Sequence, residues 1–165
     1  MEIVIREYNS LDRQNLISLM EVFNKYVQSI DKKYRTVYPD SSSEYFTDKM
    51  IALAQVKGGI IYLASNQNKI IGFIGGYIGE QDEDEKMETI PAKPGVIEEL
   101  FVSEEYRGQK IGKMLLEKME VYLRNKGCDT VSLAVFAPNS LARNFYKHAG
   151  YDERIVYLLK ELHNK

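Results

Sequence analysis

The sequence predicts a mixed α/β fold in a single domain, residues 1–165. Segments alternating apolar and polar residues are interleaved with segments whose apolar residues recur every three or four positions. At 165 residues the chain has the length of one domain, enough to bury roughly 68–70% of its unfolded surface. It shows no linker-like shift in composition, no internal repeat and no low-complexity tract.

Each element has its own signal. Ile3 to Tyr8 alternates as a half-buried strand does, and Asn9 and Ser10 follow as turn or cap residues. Leu16, Leu19, Met20, Phe23, Val27 and Ile30 recur at helical spacing and predict a helix over about 11–30. Lys32 to Asp40 reads as a connection. Ser41, Ser42 and Ser43 offer caps for a second helix carrying Tyr45, Phe46, Met50, Ile51 and Leu53, ended by Gly58-Gly59. Strands at 60–64 and 69–78 flank Asn66-Gln67-Asn68, a hairpin pattern. Glycines 72, 75, 76 and 79 punctuate the second of these strands. Because no helix follows them, they read as a bulged or closely packed strand and not as a dinucleotide loop. Residues 80–88 hold six carboxylates against one lysine and read as a solvated loop. A strand at 96–102, a helix opening at Arg107-Gly108 and closing at Lys126-Gly127, a strand at 130–136, a helix at 139–149 and a last strand within 151–159 complete the order β-α-α-β-β-β-α-β-α-β.

Composition removes several function classes. With 44% hydrophobic and 28% charged residues, the chain fits neither a disordered segment nor a collagen-like repeat. A net charge of −2 argues against a nucleic-acid binder. The single cysteine, Cys128, forms no disulfide within the chain, and with His148 and His163 it has no zinc-site spacing, so no metal is expected. Apolar runs are far shorter than the ~18 residues of a membrane span, and the start at Met1-Glu2 lacks a signal-peptide pattern. A soluble cytoplasmic protein is the expectation, with neither nucleic acid nor membrane as partner.

The most informative stretch is Val96 to Leu116, in which a strand runs through a short loop into a helix. The first turn of a helix offers unpaired N–H groups and the positive end of its dipole. Gly108 and Gly112 allow close approach of a phosphate, while Arg107, Lys110 and Lys113 add positive charge. Taken alone, the stretch fits equally an anion site or a plain turn before a helix.

Arg107-Gly108-Gln109-Lys110-Ile111-Gly112 resembles the signature of the GNAT superfamily of acetyl-CoA-dependent N-acetyltransferases, Arg/Gln-x-x-Gly-x-Gly/Ala between a strand and a helix. It departs at Lys110, where the family usually has glycine. A second segment, Asn139 to Tyr146 followed by Lys147-His148-Ala149-Gly150-Tyr151, is similar to the family's later motif, with an Asn and a Tyr seven residues apart. The resemblance implies a central mixed, mostly antiparallel sheet flanked by helices. It implies acetyl-CoA as cosubstrate, held by Leu100, Phe101, Val102, Arg107, Gly108, Gln109, Lys110, Ile111, Gly112, Lys113, Asn139 and Tyr146. Tyr146 would be the acid for the coenzyme A thiolate, and a homodimer would be in keeping with proteins of this type.

Acetyl transfer to an amine also needs a proton acceptor, because an amine of pKa about 10.4 arrives as ammonium. Glu98 and Glu99 are the candidates. A regular strand places them on opposite faces, Glu98 with Leu100 and Val102, Glu99 with Ile97 and Phe101. The family pattern favours Glu98. Asn139 reads either as a pantetheine contact or as a helix cap, and Cys128 as a structural thiol. Tyr34, Tyr38, Tyr45 and the carboxylates of 80–88 would suit a cationic amine. The expected activity is direct acetyl transfer to a small-molecule primary amine in a ternary complex. A protein lysine or N-terminal acetyltransferase and a non-catalytic acetyl-CoA sensor are the competing readings.

Overall fold

The computed structural model describes residues 2–31 and 35–162. Two compact units divide the chain at residues 134 and 135.

The first unit carries a five-stranded sheet in the order β1-β2-β3-β4-β5. Its strands are β1 (Ile3–Glu7), β2 (Ile60–Asn66), β3 (Lys69–Ile78), β4 (Pro94–Val102) and β5 (Thr130–Ser132). Neighbours are antiparallel except for the parallel pair β4–β5. The expected mixed, mostly antiparallel sheet flanked by helices is therefore present. Gln67 and Asn68, both at positive φ, make the two-residue turn between β2 and β3, the conformation that matches strand twist.

Helix α1 (Arg13–Ile30) follows β1 through a short 3-10 turn, Ser10–Asp12. Asn9 and Asp12 form a capping box there, and Asp12 takes two bonds of 2.7 Å from the Arg6 guanidinium. That bidentate pair fastens β1 to the start of α1 and holds the buried Asp12 carboxyl below its usual range. Helix α2 (Ser42–Val56) is tied to α1 by Arg13, which bonds both Asp48 and Glu44. Ser41 occupies the cap position of α2 but makes no side-chain cap bond.

Residues 80–88 are not all loop. Asp82 and Glu85 cap each other and start a short exposed helix, α3 (Glu83–Glu88). The charge run conceals this D-x-x-E signal from a reading by composition. Helix α4 runs over Ile111–Asn125, later than the start expected at Arg107, because a 3-10 turn (Glu104–Tyr106) and two left-handed residues intervene.

The two faces of the sheet are identified by what lies against β3. A Cβ added at Gly75 would lie 2.2 Å from Met50 Sδ of α2, and one added at Gly76 would lie 2.9 Å from Met119 Sδ of α4. Helices α1 and α2 thus cover one face and α4 the other. Leu16, Met20, Met50, Leu63, Phe73 and Phe101 are buried on the first face. Ile111, Leu115, Leu116, Met119 and Leu123 line the inner side of α4. Each such side chain contributes about 1.5–3 kcal/mol by leaving water.

The sequence reading extends a strand over 130–136, whereas β5 ends at Ser132. Its pairing with β4 stops at Val96↔Ser132, just before β4 bulges at Glu98. The bulge bends β4, and the neighbouring strand loses its ladder.

The second unit contains α5 (Ser140–His148), whose Asn139 cap accepts the Ala142 N–H at 3.1 Å. Arg143 pairs with Glu153, and the Tyr151 N–H donates to the Tyr146 carbonyl at 3.0 Å. The last strand expected within 151–159 is absent from the described residues. Ile155, Val156, Tyr157 and Leu158 are exposed there. This unbroken apolar run, with its β-branched and aromatic residues, registers strand propensity, but a strand also requires a ladder partner, which the sequence pattern does not reveal.

Candidate active site

The β4 bulge determines where the two glutamates lie. Gly75 pairs with Glu99 and Gly76 with Ile97, so Glu98 is the extra residue of the bulge. Opposed residues share a face, so Glu99 lies with Gly75 on the α1/α2 face while Ile97 lies with Gly76 on the α4 face. The grouping of Glu99 with Ile97 expected from a regular strand is therefore broken by the bulge, while Phe101 remains on the Glu99 face, against Phe73 and Phe23. Glu98 also reaches the α2 side: Lys49 Nζ donates to Glu98 Oε1 at 2.6 Å. One inserted residue thus brings both carboxylates to one side of the sheet.

Their surroundings differ. Burial, reinforced by the neighbouring Glu98 charge and only partly offset by Lys49, pushes the Glu99 carboxyl up to about 8. The hydrogen bond to Glu98 raises Lys49 and keeps it protonated. Tyr77 of β3 and Tyr38 are both raised by burial, with Glu98 acting secondarily on Tyr77 and Glu99 on Tyr38. Tyr38 and Tyr45 each pack edge-on against Phe46. This is a carboxyl pair walled by tyrosines, with one cation holding one of its members. Tyr34, also expected there, lies outside the described residues. Lys49 and Tyr77 were not singled out by sequence. No spacing marks them, because it is the bulge that brings β4 under α2.

The turn after β4 has the features of an anion site. Gly108 has φ +76° with open space where a side chain would stand. Lys110 occupies the cap position of α4 at φ 65°, ψ 7°, and makes no side-chain cap bond. The departure from glycine is therefore a lysine held in a left-handed conformation that glycine adopts without strain. Because no side-chain cap bond is made there, the first N–H groups of α4, from Ile111, Gly112 and Lys113, could receive an anion. Gln109 and Lys110 are exposed, and Lys113 faces Glu117 at 3.6 Å.

Arg107, in the same turn, contacts helix α1 and strand β4. Its guanidinium lies over the Tyr26 ring at 4.8 Å, and its Nε donates to the Val102 carbonyl at 3.1 Å. The outer edge of β4 over 97–102 pairs with no strand among the described residues, since β5 stops at Val96. Backbone groups of Leu100 and Phe101 on that edge can serve an extended amide-bearing chain.

In the second unit, Tyr146 is half-buried, with its ring edge-on to Phe145 at 5.1 Å and to Tyr151 at 5.6 Å. Asn139 uses its side-chain oxygen as the α5 cap. Burial raises the Cys128 thiol, consistent with a structural residue. Among the described residues, no group of three His, Cys, Asp or Glu could hold a metal ion. An open groove of about 360 Å³ lies elsewhere in the first unit, lined by Tyr8, Asn9, Ile51, Gln55 and Ile60 among others, and contains none of the predicted site residues.

Comparison with known proteins places the chain among acetyltransferases. The chain is 41% identical over 54 residues to thialysine N-epsilon-acetyltransferase of Mus musculus, covering 33% of this chain and 32% of that protein. It is 29% identical over 130 residues to the uncharacterized N-acetyltransferase MJ1530 of Methanocaldococcus jannaschii, covering 78% and 71%. A second such protein there, MJ1207, matches at 26% over 89% of this chain and 61% of its own length. The chain thus spans less than two thirds of thialysine N-epsilon-acetyltransferase and of MJ1207. Among solved structures, a tetramutant of the BH1408 protein of Bacillus halodurans superposes with a TM-score of 0.76 at 21% identity, covering 96% and 99% of the two chains. The aminoglycoside N-acetyltransferase AAC(6')-Iy superposes at 0.70 and 16%, covering 98% and 96%. The model of the acetyltransferase (GNAT) family matches residues 23–151, a range that takes in the carboxylate pair, the α4 turn and Tyr146, and the chain belongs to that family.

Proposed function

We propose that this protein is an acetyl-CoA-dependent N-acetyltransferase that transfers the acetyl group directly, in a ternary complex, to the primary amine of a small molecule. The observation that carries this reading is the carboxylate pair at the β4 bulge. Glu98 is engaged by Lys49, and Glu99 is left with a proton affinity near the working pH. An effective base has such an affinity, and proton acceptance is typically worth about 10²–10⁴ in rate.

In this reading Glu99 takes the ammonium proton, directly or through one water. The nitrogen–carbon bond forms as the carbon–sulfur bond breaks, and the departing thiolate takes a proton, for which the family motif nominates the Tyr146 phenol. A phenol near 10 holds its proton when a thiol near 8.5 has lost its own. The edge of β4 that pairs with no strand among the described residues aligns the pantetheine arm through Leu100 and Phe101, and the first turn of α4 takes the pyrophosphate. The family position favours Glu98 as the base. Its ion pair with Lys49 moves the proposed assignment to Glu99, with Glu98 raising the proton affinity of its neighbour. The match to a protein named for acetylating the ε-amine of thialysine supports a small amine as acceptor.

The test is coenzyme A release from acetyl-CoA across a panel of small amines, lysine-bearing peptides and a no-acceptor control. Turnover with a small amine is the expected result. Release only with peptides would replace the acceptor class, and acetyl-CoA binding without release under any condition would refute catalysis.

A further inference from the structure

Arg107 stands in the turn proposed to take the pyrophosphate, yet its guanidinium is committed elsewhere. Its Nε bonds the Val102 carbonyl at 3.1 Å, and its Cζ lies 4.8 Å from the Tyr26 ring centroid and 5.8 Å from that of Phe101. No carboxylate pairs with it among the described residues. Carbonyl and aromatic faces are the partners a planar, weakly hydrated guanidinium takes and an ammonium reproduces poorly. Phe101 in turn packs on Phe23 at 5.6 Å. Phe23 and Tyr26 lie three residues apart on α1, so Arg107 and Phe101 meet one stripe of that helix.

Helix α1 ends at Ile30. Directly beyond it the buried Asp31 carboxylate accepts the N–H groups of Arg35 at 2.8 Å and Thr36 at 2.6 Å. Arg107 therefore joins the turn before α4 to the C-terminal half of α1.

We infer that Arg107 is a positioning residue, clamping the cofactor turn to the C-terminal half of α1 instead of contributing its charge to the phosphates. The inference rests on the acetyltransferase reading, which assigns the turn to acetyl-CoA. Its consequence is that shape matters at residue 107 more than charge, and that Tyr26, remote from the turn in sequence, acts with it.

The test is a double-mutant cycle in the full chain with Arg107→Met, Tyr26→Leu and the pair, together with Arg107→Lys. Urea unfolding is measured without ligand, and acetyl-CoA affinity is measured at low and high salt. The expected result is that the double variant moves the urea midpoint no further than the larger single. Arg107→Met and Tyr26→Leu should each weaken acetyl-CoA by about fivefold, and Arg107→Lys should not rescue. The salt dependence of acetyl-CoA affinity should keep its wild-type slope, since no phosphate-paired charge has been removed. Additive midpoint shifts, or rescue by lysine with a flattened salt slope in Arg107→Met, would overturn the inference. If the wild type does not bind acetyl-CoA, the functional reading fails while the unliganded cycle still decides whether the clamp exists.

Discussion

Glu99→Gln separates the chemistry of the site from its folding cost. The Glu99 carboxyl is raised from 4.5 to about 8, with burial the largest cause, then the Glu98 charge, and with Lys49 opposing. A carboxyl with a raised folded-state pKa holds its proton more tightly when folded. Its stabilising effect is therefore complete below about pH 4.5, declines as pH rises toward about 8, and levels off above. At 1.36 kcal/mol per pH unit, the full decline is on the order of 3–5 kcal/mol. Glutamine keeps the shape and cannot ionise, so that decline should vanish. Urea unfolding of wild type and variant at pH 5, 7 and 9 gives the measurement, because differencing the two proteins cancels every other titrating group. The variant should gain on the wild type as pH rises, with midpoints diverging by about 1–3 M urea. In the same preparations kcat should fall by about 10²–10⁴, and the wild-type ascending limb in kcat/KM, centred near the pKa of about 8, should disappear. Parallel stability–pH curves would refute the burial argument. A variant retaining the ascending limb would refute Glu99 as the base.

The neighbouring charges make opposite predictions for that limb. Glu98→Gln removes a charge that raises Glu99 and should move the limb to lower pH, whereas Lys49→Met should move it higher, both read from kcat/KM–pH profiles. Lys110→Gly relieves a left-handed non-glycine residue at a cost in chain entropy and should stabilise the fold by about 0.5–1 kcal/mol in urea melts, with acetyl-CoA affinity held. Gly75→Ala drives a methyl into Met50 Sδ behind the Glu99 pair and should cost about 1–3 kcal/mol, with kcat reduced in the folded fraction. Tyr146→Phe should lower kcat while the acetyl-CoA dissociation constant, measured by calorimetry, stays within about twofold.

Most of the fold is legible in local patterns, because helix and strand periods reflect burial on one side of an element. The hairpin at Gln67-Asn68, the close of α2 at Gly58-Gly59 and the turn before α4 were all marked by residues whose backbone preferences are local. The two motifs that led to the family are local in the same sense. The capping box of α3 was equally local, but the density of charge around it masked it. The strands read at 133–136 and 151–159 fail for another reason. A short apolar run shows that a segment can enter a sheet, whereas pairing depends on a neighbour that the segment does not encode.

The site divides along the same line. The sequence by itself supplied the residue types that the proposed chemistry calls on: two adjacent glutamates on a strand, an Arg-Gly turn opening a helix, and a tyrosine in the later motif. Only the tertiary structure decided which way they point. A single extra residue at Glu98 turned an expected front-and-back pair into neighbours under Lys49, and the fold set the Arg107 guanidinium over the Tyr26 ring. The physical reason is that side-chain direction follows backbone register and long-range contacts, and both arise only when separate segments of the chain meet.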